Sequence, residues 1–223
     1  MENMEKKNTV SSQNQVCKSI LFEGAANGSP RVMFLGNSIT LHGPKADIGW
    51  YGNWGMAASK KENDYVHLCM KHIQKKYENA AFCITNAAAW EREYRECEIE
   101  TVFCNAKEFA PDLIITRLSE NVPVDYLDKD SFVEKMHEFH RFLSKEDTKL
   151  IVTSNVFNNK LKDEALEAYA EKYNVLYVYL DDYMDDKENL ASEYAHEGVR
   201  IHPGDKGMKF IADRIIEAID KVI

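Results

Sequence analysis

Two residues far apart in the sequence have side chains that could perform nucleophilic chemistry together. Ser38 follows the apolar run 31–36 (Arg-Val-Met-Phe-Leu-Gly) and Asn37. A serine hydroxyl attacks a carbonyl carbon when a neighbouring base accepts its proton. His202, in a His-Pro-Gly-Asp segment near the carboxyl terminus, is the candidate base. By itself Gly-Asn-Ser is more typical of a turn or a helix cap, so the rest of the chain must decide.

Five short apolar runs predict the strands that would position these residues. The runs are rich in branched side chains, as in a parallel sheet covered on both faces, and they span 31–36, 81–86, 112–117, 149–153 and 175–180. Helical stretches separate them, at about 59–78, 91–109, 131–145, 160–174 and 205–222. The alternation predicts an α/β fold, a three-layer α/β/α sandwich of the flavodoxin-like type with a five-stranded parallel sheet.

The amino-terminal segment is predicted separately from this alternation. Residues 1–14 are polar and are expected to be disordered, whereas residues 15–223 are expected to form one domain. Residues 15–28 contain one short apolar run, which the pattern does not assign to an element. Two helix starts carry cap signals: Ser131 with Glu134 has the spacing of a capping box, and Asp205 is a candidate cap of the last helix.

Composition excludes several classes of function. The net charge is −9, from 28 basic and 37 acidic residues spread along the chain, which argues against a nucleic-acid-binding surface and against a basic membrane-binding face. Neutral or cationic substrates are therefore easier to accommodate than polyanions, although a local pocket can override the overall charge. No run approaches the roughly 18 apolar residues of a membrane helix.

The amino terminus and the cysteines predict a cytoplasmic protein. The first residues are polar and lack the apolar core of a signal peptide. The five cysteines are odd in number and lack metal-ligand spacing, which favours free thiols in a reducing compartment.

Further polar residues follow the predicted strands and are expected at the same edge of the sheet as Ser38. The second strand leads into Trp90 and Glu91, and the third leads into Glu120 and Asn121. The carboxyl ends of parallel strands share one edge, where open α/β sheets bind their ligands. A hydroxyl, a carboxamide and an imidazole there are the groups that acyl transfer needs: a nucleophile, a base and a donor to the oxyanion.

In their order and strand positions these motifs resemble those of the SGNH hydrolases, the GDSL-like lipase and esterase superfamily. Residues 36–39, Gly-Asn-Ser-Ile, resemble its first block. Residues 120–121 resemble its third block, usually Gly-x-Asn-Asp, and residues 202–203 its last, usually Asp-x-x-His-Pro. The resemblance covers about residues 31–222, most of the chain.

The resemblance implies a role for each matching residue. Ser38 is the nucleophile and His202 the base. The backbone N–H of Ser38 and the side chain of Asn121 donate to the oxyanion. The second block of the family supplies a further backbone N–H from a glycine, and Glu91 stands there in this chain. The Glu91 N–H could serve in the same way, Glu91 could begin a helix, where a carboxylate is favourable, and the two roles are compatible.

A second departure concerns the acid of the catalytic triad. Val199 stands three residues before His202, where the family usually supplies the aspartate that orients the histidine. Glu197 is the nearest acidic residue upstream and is the predicted replacement. A backbone carbonyl is the alternative, and Glu197 would then be a solvated loop charge.

Substrate contacts are expected from the loop that follows Ser38. Its two tryptophans, Trp50 and Trp54, are spaced by glycines and could stack on a sugar or an acyl chain, or else could plug the loop onto the core. His42 is either a polar contact or a surface residue, and Glu120 either contacts substrate or pairs with Arg117. The predicted substrate-binding set is Asn37, His42, Trp50, Trp54, Trp90 and Glu120. The remaining histidines are expected at the surface, and no metal or cofactor is predicted.

The leading hypothesis is a serine esterase that hydrolyses a short-chain ester, preferably an acetyl ester of a carbohydrate, through an acyl-enzyme on Ser38. A lysophospholipase or acyl-thioester hydrolase is the enzymatic alternative. A catalytically weak or inactive relative that binds a carbohydrate or another ligand is the alternative from another class, because Val199 replaces the expected aspartate. A nucleotide-binding flavodoxin-like domain is disfavoured, because no Gly-rich phosphate loop follows the first strand.

Overall fold

A six-stranded, mostly parallel sheet forms the centre of the protein. The structure is a computed structural model and describes residues 19–223. In chain order the strands are β1 (Ile20–Gly24), β2 (Arg31–Gly36), β3 (Ala81–Asn86), β4 (Leu113–Thr116), β5 (Lys149–Thr153) and β6 (Leu176–Val178). They lie side by side in the order β1-β3-β2-β4-β5-β6. The predicted α/β class and parallel sheet are confirmed.

The sheet has one strand more than the sequence pattern predicts. β1 pairs antiparallel with β3, with Ile20 opposite Thr85, and forms one edge of the sheet. Its side chains alternate between more and less buried positions, as expected of an edge strand with one face toward solvent. The strand is only five residues long and ends at Gly24, whose φ of 79° turns the chain away.

Helices cover both faces of the sheet. They are α1 (Tyr65–Lys76), α2 (Ala88–Arg92), α3 (Ile99–Val102), α4 (Cys104–Lys107), α5 (Lys129–Leu143), α6 (Lys160–Tyr173), α7 (Glu197–Arg200) and α8 (Asp205–Ile219). Val32 and Phe34 of β2 face the α1 and α8 side, whereas Met33 and Leu35 face the α5 and α6 side. The period-two alternation of one fully buried strand thus builds both apolar layers.

Three predicted helix features are corrected. The stretch 91–109 is not one helix but the three short helices α2, α3 and α4. Asp128, not Ser131, caps α5, and its carboxylate accepts a hydrogen bond from the Ser131 N–H. Asp205 does not cap α8; its carboxylate accepts hydrogen bonds from the N–H and hydroxyl of Ser59 and thereby ties the loop 49–59 to the last helix.

Several predictions concern the remaining chain. Residues 1–14 and Cys17 lie outside the described residues. Cys69, Cys83, Cys97 and Cys104 are free, and the first two are buried. Within residues 19–223, no helix has the length and apolar character needed to cross a membrane.

Candidate active site

The turn after β2 presents the Ser38 hydroxyl. Asn37 holds this turn, since its carbonyl accepts from the N–H groups of Thr40 and Leu41, each at 3.0 Å. Only glycine fits at position 36, because a Cβ there would lie 1.9 Å from Thr40 Oγ1. The chain therefore turns tightly at the carboxyl end of a central strand and leaves Ser38 at the sheet edge.

His202 reaches the same point from the other end of the chain. It lies between α7 and α8, where its N–H donates to the Val199 carbonyl and its carbonyl accepts from the Ala191 N–H, both at 2.9 Å. Its Nε2 lies 2.7 Å from Ser38 Oγ, although the two residues are 164 positions apart. The geometry is that of a hydroxyl donating to a neutral imidazole.

Burial determines the charge of His202. Removal from water lowers its pKa to about 4, a nearby His42 lowers it further, and the Gly198 carbonyl acts in the opposite direction. His202 is therefore neutral near pH 7. Because Nε2 accepts the Ser38 hydroxyl, the ring proton lies on Nδ1. That atom is buried and forms no hydrogen bond within residues 19–223. The Gly198 carbonyl, whose effect on the pKa of His202 is to raise it, is the backbone group that could orient the ring in place of an acid.

The predicted role of Glu197 is not supported by this geometry. Glu197 is exposed at the start of α7, and its carboxylate makes no hydrogen bond to His202. The short helix directs the Glu197 side chain to solvent while its backbone carbonyl accepts from the Ile201 N–H. Ser38 and His202 form a dyad here, without an acid on Nδ1.

Two hydrogen-bond donors lie beside the serine. The Ser38 N–H donates to no acceptor within the described part of the chain. The Asn121 Nδ2 donates one hydrogen bond to Glu91 Oε2 at 2.5 Å, and its second N–H remains available. Asn121, Ser38 and His202 all line one cavity. The predicted backbone donor, the Glu91 N–H, is instead used within α2, where it donates to the Ala87 carbonyl at 3.1 Å.

The Glu91 carboxylate is buried and accepts a hydrogen bond from the Asn121 side chain. The residue is fully buried, and its Oε1 accepts from the Ser119 N–H at 2.6 Å and from Asn37 Nδ2 at 3.1 Å. Burial and the charge of Glu120 raise the pKa of Glu91 to about 7, against the hydrogen bonds that stabilise its ionised form. The position that resembles a family glycine thus supplies a buried carboxylate that holds three neighbouring turns together.

Glu120 and Asn37 belong to the same buried network. Glu120 pairs with Arg117 and accepts from Asn37 Nδ2 at 2.7 Å, and only 7% of its side chain is exposed. Lys162 Nζ donates to the Glu120 carbonyl at 2.9 Å. Both amide hydrogens of Asn37 are therefore occupied. The pair with Arg117 is one of the two roles predicted for Glu120, and the predicted substrate contacts of Asn37 and Glu120 stay predictions.

The chain is similar to known proteins in its structure rather than in its sequence. No protein-family model matches this sequence, and no curated protein matches it significantly. An alpha/beta hydrolase enzyme from the metagenome of Lake Arreo, Spain, has a TM-score of 0.57 and 18% identity, covering 89% of this chain and 98% of that one. An acetylxylan esterase from Geobacillus stearothermophilus has a TM-score of 0.57 and 17% identity, covering 86% and 94%.

A third solved structure is informative about the type of fold. It is a member of the lipolytic protein G-D-S-L family from Veillonella parvula, with a TM-score of 0.53 and 15% identity over 86% of this chain and 98% of that chain. This chain has an SGNH hydrolase-like fold. At such low identities the likeness concerns the fold, and the chemistry has to be argued from the site.

Of the three tryptophans predicted to contact substrate, Trp50 and Trp90 lie in the interior and Trp54 is partly buried. Trp50 is 2% exposed and its indole N–H donates to the His42 carbonyl at 3.0 Å. The Trp54 indole N–H donates to the Ala58 carbonyl at 3.0 Å, and the two rings pack edge to face. Trp90 is 1% exposed and stacks on Phe139. The three rings pack on the core, which is one of the two roles predicted for Trp50 and Trp54, and their role in substrate binding stays a prediction.

A cavity of about 560 Å³ opens beside Ser38 and His202. Of the predicted substrate-binding residues, His42 lines it, and its Nδ1 lies 2.6 Å from the Gly43 carbonyl. Burial lowers the pKa of His42. The residues that sequence reasoning missed in the wall are Ser19, Ile20, Lys45, Ile48, Met56, Asn86, Ala88, Ala89, Arg92, Val102, Phe103, His196 and Gly198. Lys45 and Arg92 could have been predicted from their positions in the sequence, because Lys45 closely follows Ser38 and Arg92 closely follows the turn after β3.

Two other histidines are not the surface residues that the sequence suggested. His67 is half-buried beside Asp64 and Glu23, whose hydrogen bonds outweigh the effect of burial and raise its pKa to about 9. His140 is buried between Thr116 and Tyr169, and burial lowers its pKa to about 3. Within residues 19–223, no group of three His, Cys, Asp or Glu side chains could hold a metal ion.

Proposed function

We propose that this protein is a serine esterase that removes a short acyl group, an acetyl group by preference, from a carbohydrate. The observation that carries the proposal is the 2.7 Å contact between Ser38 Oγ and His202 Nε2 in the wall of an open cavity. A hydroxyl donating to a neutral buried imidazole is the ground-state arrangement for nucleophilic attack on an ester.

In the acylation step, Ser38 Oγ attacks the ester carbonyl carbon while its proton passes to His202 Nε2. The carbonyl oxygen becomes an oxyanion, which accepts hydrogen bonds from the Ser38 N–H and from the free N–H of Asn121 Nδ2. The carbon–oxygen bond to the alcohol then breaks, and His202 Nε2 returns the proton to the departing alkoxide. The acyl group remains as an ester on Ser38.

Deacylation repeats the sequence with water as the nucleophile. His202 accepts a proton from water, the hydroxide attacks the acyl carbon, and the same donors stabilise the second oxyanion. His202 then protonates Ser38 Oγ as the carboxylic acid leaves. Neutral His202 is available as the base above pH 4, because burial keeps its pKa low.

The names of structurally similar proteins and the make-up of the cavity wall support the preference for an acetylated carbohydrate. Similar solved structures include the acetylxylan esterase and a two-domain esterase active on acetylated mannans, which has a TM-score of 0.55 and 17% identity over 93% of this chain and 56% of that one. The cavity wall mixes Asn86 and Asn121 with apolar side chains such as Phe103, which suits a sugar with polar hydroxyls and apolar C–H faces.

The unpartnered Nδ1 of His202 favours a second candidate, a catalytically weak relative that binds a carbohydrate ester. Without a carboxylate on Nδ1, the imidazolium that forms during attack is stabilised less, and loss of the third triad member lowers kcat by about 10⁴ in a serine protease. A lysophospholipase or thioesterase is the enzymatic alternative. Reaction with esters of graded chain length separates these possibilities.

The test combines a covalent probe with a panel of 4-nitrophenyl esters from acetate to dodecanoate. The proposal expects fluorophosphonate labelling of Ser38, its loss in Ser38→Ala and His202→Ala, and a maximum rate at acetate. Ser192→Ala, which alters an exposed serine away from the cavity, is the matched control and keeps wild-type labelling. A maximum at eight or more carbons supports the lysophospholipase, and absence of labelling supports the weak relative.

A further inference from the structure

The wall of the cavity beside Ser38 is positively charged, in contrast to the protein as a whole. Its ionisable members among residues 19–223 are His42, Lys45, Arg92, His196 and His202. None of the described residues that line it is an aspartate or a glutamate, although acidic residues outnumber basic ones by 37 to 28 in the chain. The local charge is therefore opposite in sign to the net charge of −9.

Lys45 is not neutralised by its neighbours. Its Nζ lies 3.9 Å from Asp47 Oδ2, and the two side chains are 53% and 71% exposed. A solvent-exposed pair at this separation contributes little and exchanges readily with water. The ammonium group of Lys45 thus remains available to a ligand in the cavity.

The guanidinium of Arg92 has fewer partners than the ammonium group of Lys45. It is exposed at the end of α2, and its guanidinium forms no hydrogen bond, ion pair or ring contact within residues 19–223. The flanking carboxylates are directed elsewhere. Glu91 is buried among the turns beneath Asn121, and Glu93 lies close enough to Cys97 to raise the pKa of that thiol.

Other acidic side chains do not cancel these two cations. Glu120 lies behind the wall and is paired with Arg117. The remaining surface carboxylates act on a bound ligand through solvent, where their charges are screened over about 8 Å at physiological ionic strength. Direct contacts with Lys45 and Arg92 therefore dominate the electrostatics that a ligand meets inside the cavity.

We propose that the natural substrate is an ester of a sugar that also carries an anionic group, a carboxylate or a sulfate, held by Lys45 and Arg92. The proposal rests on the esterase function and names its substrate class. A guanidinium matches the paired oxygens of such anions with two parallel hydrogen bonds, and an ammonium adds a point charge. The cavity of about 560 Å³ is larger than an acetyl group needs, which leaves room for the ring that carries the anion.

The test uses three acetylated methyl glycosides that differ only at C6. One is the glucuronide, with a carboxylate; one is the glucoside 6-sulfate; and one is the neutral glucoside. We expect kcat/KM for at least one anionic ester to exceed that for the neutral ester by on the order of tenfold to a hundredfold. The anion that gives the larger ratio identifies the source of the charge. A neutral ester hydrolysed as well as both anionic esters overturns the proposal.

Two charge-matched double variants assign the effect to the cavity. Lys45→Gln/Arg92→Gln removes two positive charges from the wall, and Lys149→Gln/Arg141→Gln removes two from exposed positions at the opposite end of the sheet and in the last turn of α5. The anionic-to-neutral ratio of kcat/KM falls toward one in the first variant and stays at the wild-type value in the second. This ratio does not depend on the fraction of folded enzyme. An equal fall in both variants contradicts the proposal.

Failure of the esterase function would give a different pattern. If neither 4-nitrophenyl acetate nor any glycoside ester is hydrolysed and Ser38 is not labelled, the proposed chemistry is wrong. Calorimetric titration of Ser38→Ala with the three esters then decides the ligand class by itself. Tighter binding of an anionic ester supports the recognition by Lys45 and Arg92, and equal binding of all three overturns it.

Discussion

Glu91 Oε2 accepts a hydrogen bond from Asn121 Nδ2 at 2.5 Å, so that a buried carboxylate lies directly behind the proposed oxyanion donor. The same carboxylate accepts from the Ser119 N–H and from Asn37 Nδ2. Asn37 in turn forms the tight turn that carries Ser38. One side chain thus links the nucleophile turn to the turn that supplies the amide donor, and it fixes which way the Asn121 amide faces.

Replacement of Glu91 by glutamine tests this link. Glu91→Gln keeps the shape but places an amide N–H₂ or a neutral carbonyl against Asn121, so the amide of Asn121 loses its charged acceptor. Losing an oxyanion donor outright lowers kcat by about 10²–10³, and we expect misorientation to lower it by on the order of tenfold to a hundredfold at pH 8. Steady-state kinetics on 4-nitrophenyl acetate measure this fall in kcat. We expect the KM of Glu91→Gln to stay within about threefold of wild type.

The matched control is Glu93→Gln, which neutralises an exposed glutamate just after α2. It removes the same charge from the same segment without touching Asn121. A kcat for Glu91→Gln equal to that of the control would show that the buried carboxylate does not position the donor.

The pH dependence of kcat/KM provides an independent readout of the same carboxylate. The pKa of Glu91 is raised to about 7, by burial and by Glu120, so it becomes protonated as the pH falls through 7. The pKa of His202 is lowered to about 4, so the base stays neutral until the pH falls to that value. We expect wild type to lose activity in two steps, near pH 7 and near pH 4.

Glutamine resembles the protonated form of Glu91. We therefore expect the pH profile of kcat/KM for Glu91→Gln to keep only the step near pH 4. The rates of wild type and variant then converge near pH 5.5 and separate at pH 8. The ionisable groups that face Glu91 are Glu120 and, through it, Arg117 and Lys162, and the upper step is therefore an apparent value for the coupled network. A variant that keeps the step near pH 7 would assign that step to another group.

Glu197 offers a direct test of the missing triad acid. Its carboxylate is exposed and does not contact His202, so we expect Glu197→Gln to keep kcat within about threefold of wild type. If Glu197 were the acid that orients the histidine, its loss would lower kcat by about 10⁴. Single-turnover hydrolysis of 4-nitrophenyl acetate separates the two outcomes easily, and a loss of a hundredfold or more would return Glu197 to the triad.

Sequence reasoning located the dyad and the amide donor because strand ends determine them. Ser38 and Asn121 follow apolar runs that are buried on both faces, and such runs can only be central strands, so their carboxyl ends had to share one edge. His202 was placed by its resemblance to a known motif. The topology accounts for the nearness of Ser38 and Asn121, whereas the 2.7 Å contact between Ser38 Oγ and His202 Nε2 also depends on their side-chain rotamers.

The remaining features depend on side-chain directions that periodicity does not encode. The sequence predicts a helix at Glu91, but it does not predict that the Glu91 carboxylate turns inward and accepts from four donors. A Gly-rich loop is equally compatible with the two roles predicted for Trp50 and Trp54; in the structure Trp50 is buried and Trp54 is partly buried against it. β1 was not assigned because its apolar run is too short to distinguish an edge strand from a loop.

The buried charge cluster around His67 predicts a pH-dependent contribution to stability. Nδ1 of His67 lies 2.7 Å from Asp64 Oδ1, and Nε2 lies 3.5 Å from Glu23 Oε1. Burial opposes protonation of the ring, but these carboxylates outweigh it and raise its pKa to about 9 from 6.5. A folded pKa above the unfolded one stabilises the protein fully below pH 6.5, and this contribution is lost as the pH rises through 9.

We therefore expect His67→Gln to lower the free energy of unfolding by about 2–3 kcal/mol at pH 6 and by much less at pH 10. Urea denaturation at pH 6, 8 and 10 measures the difference from wild type. His72→Gln is the matched control on the same helix, because His72 forms an ion pair with Asp220 at the surface, where such pairs contribute less than about 1 kcal/mol. An equal loss at pH 6 and pH 10 would mean that His67 stabilises α1 through packing alone, since packing does not titrate.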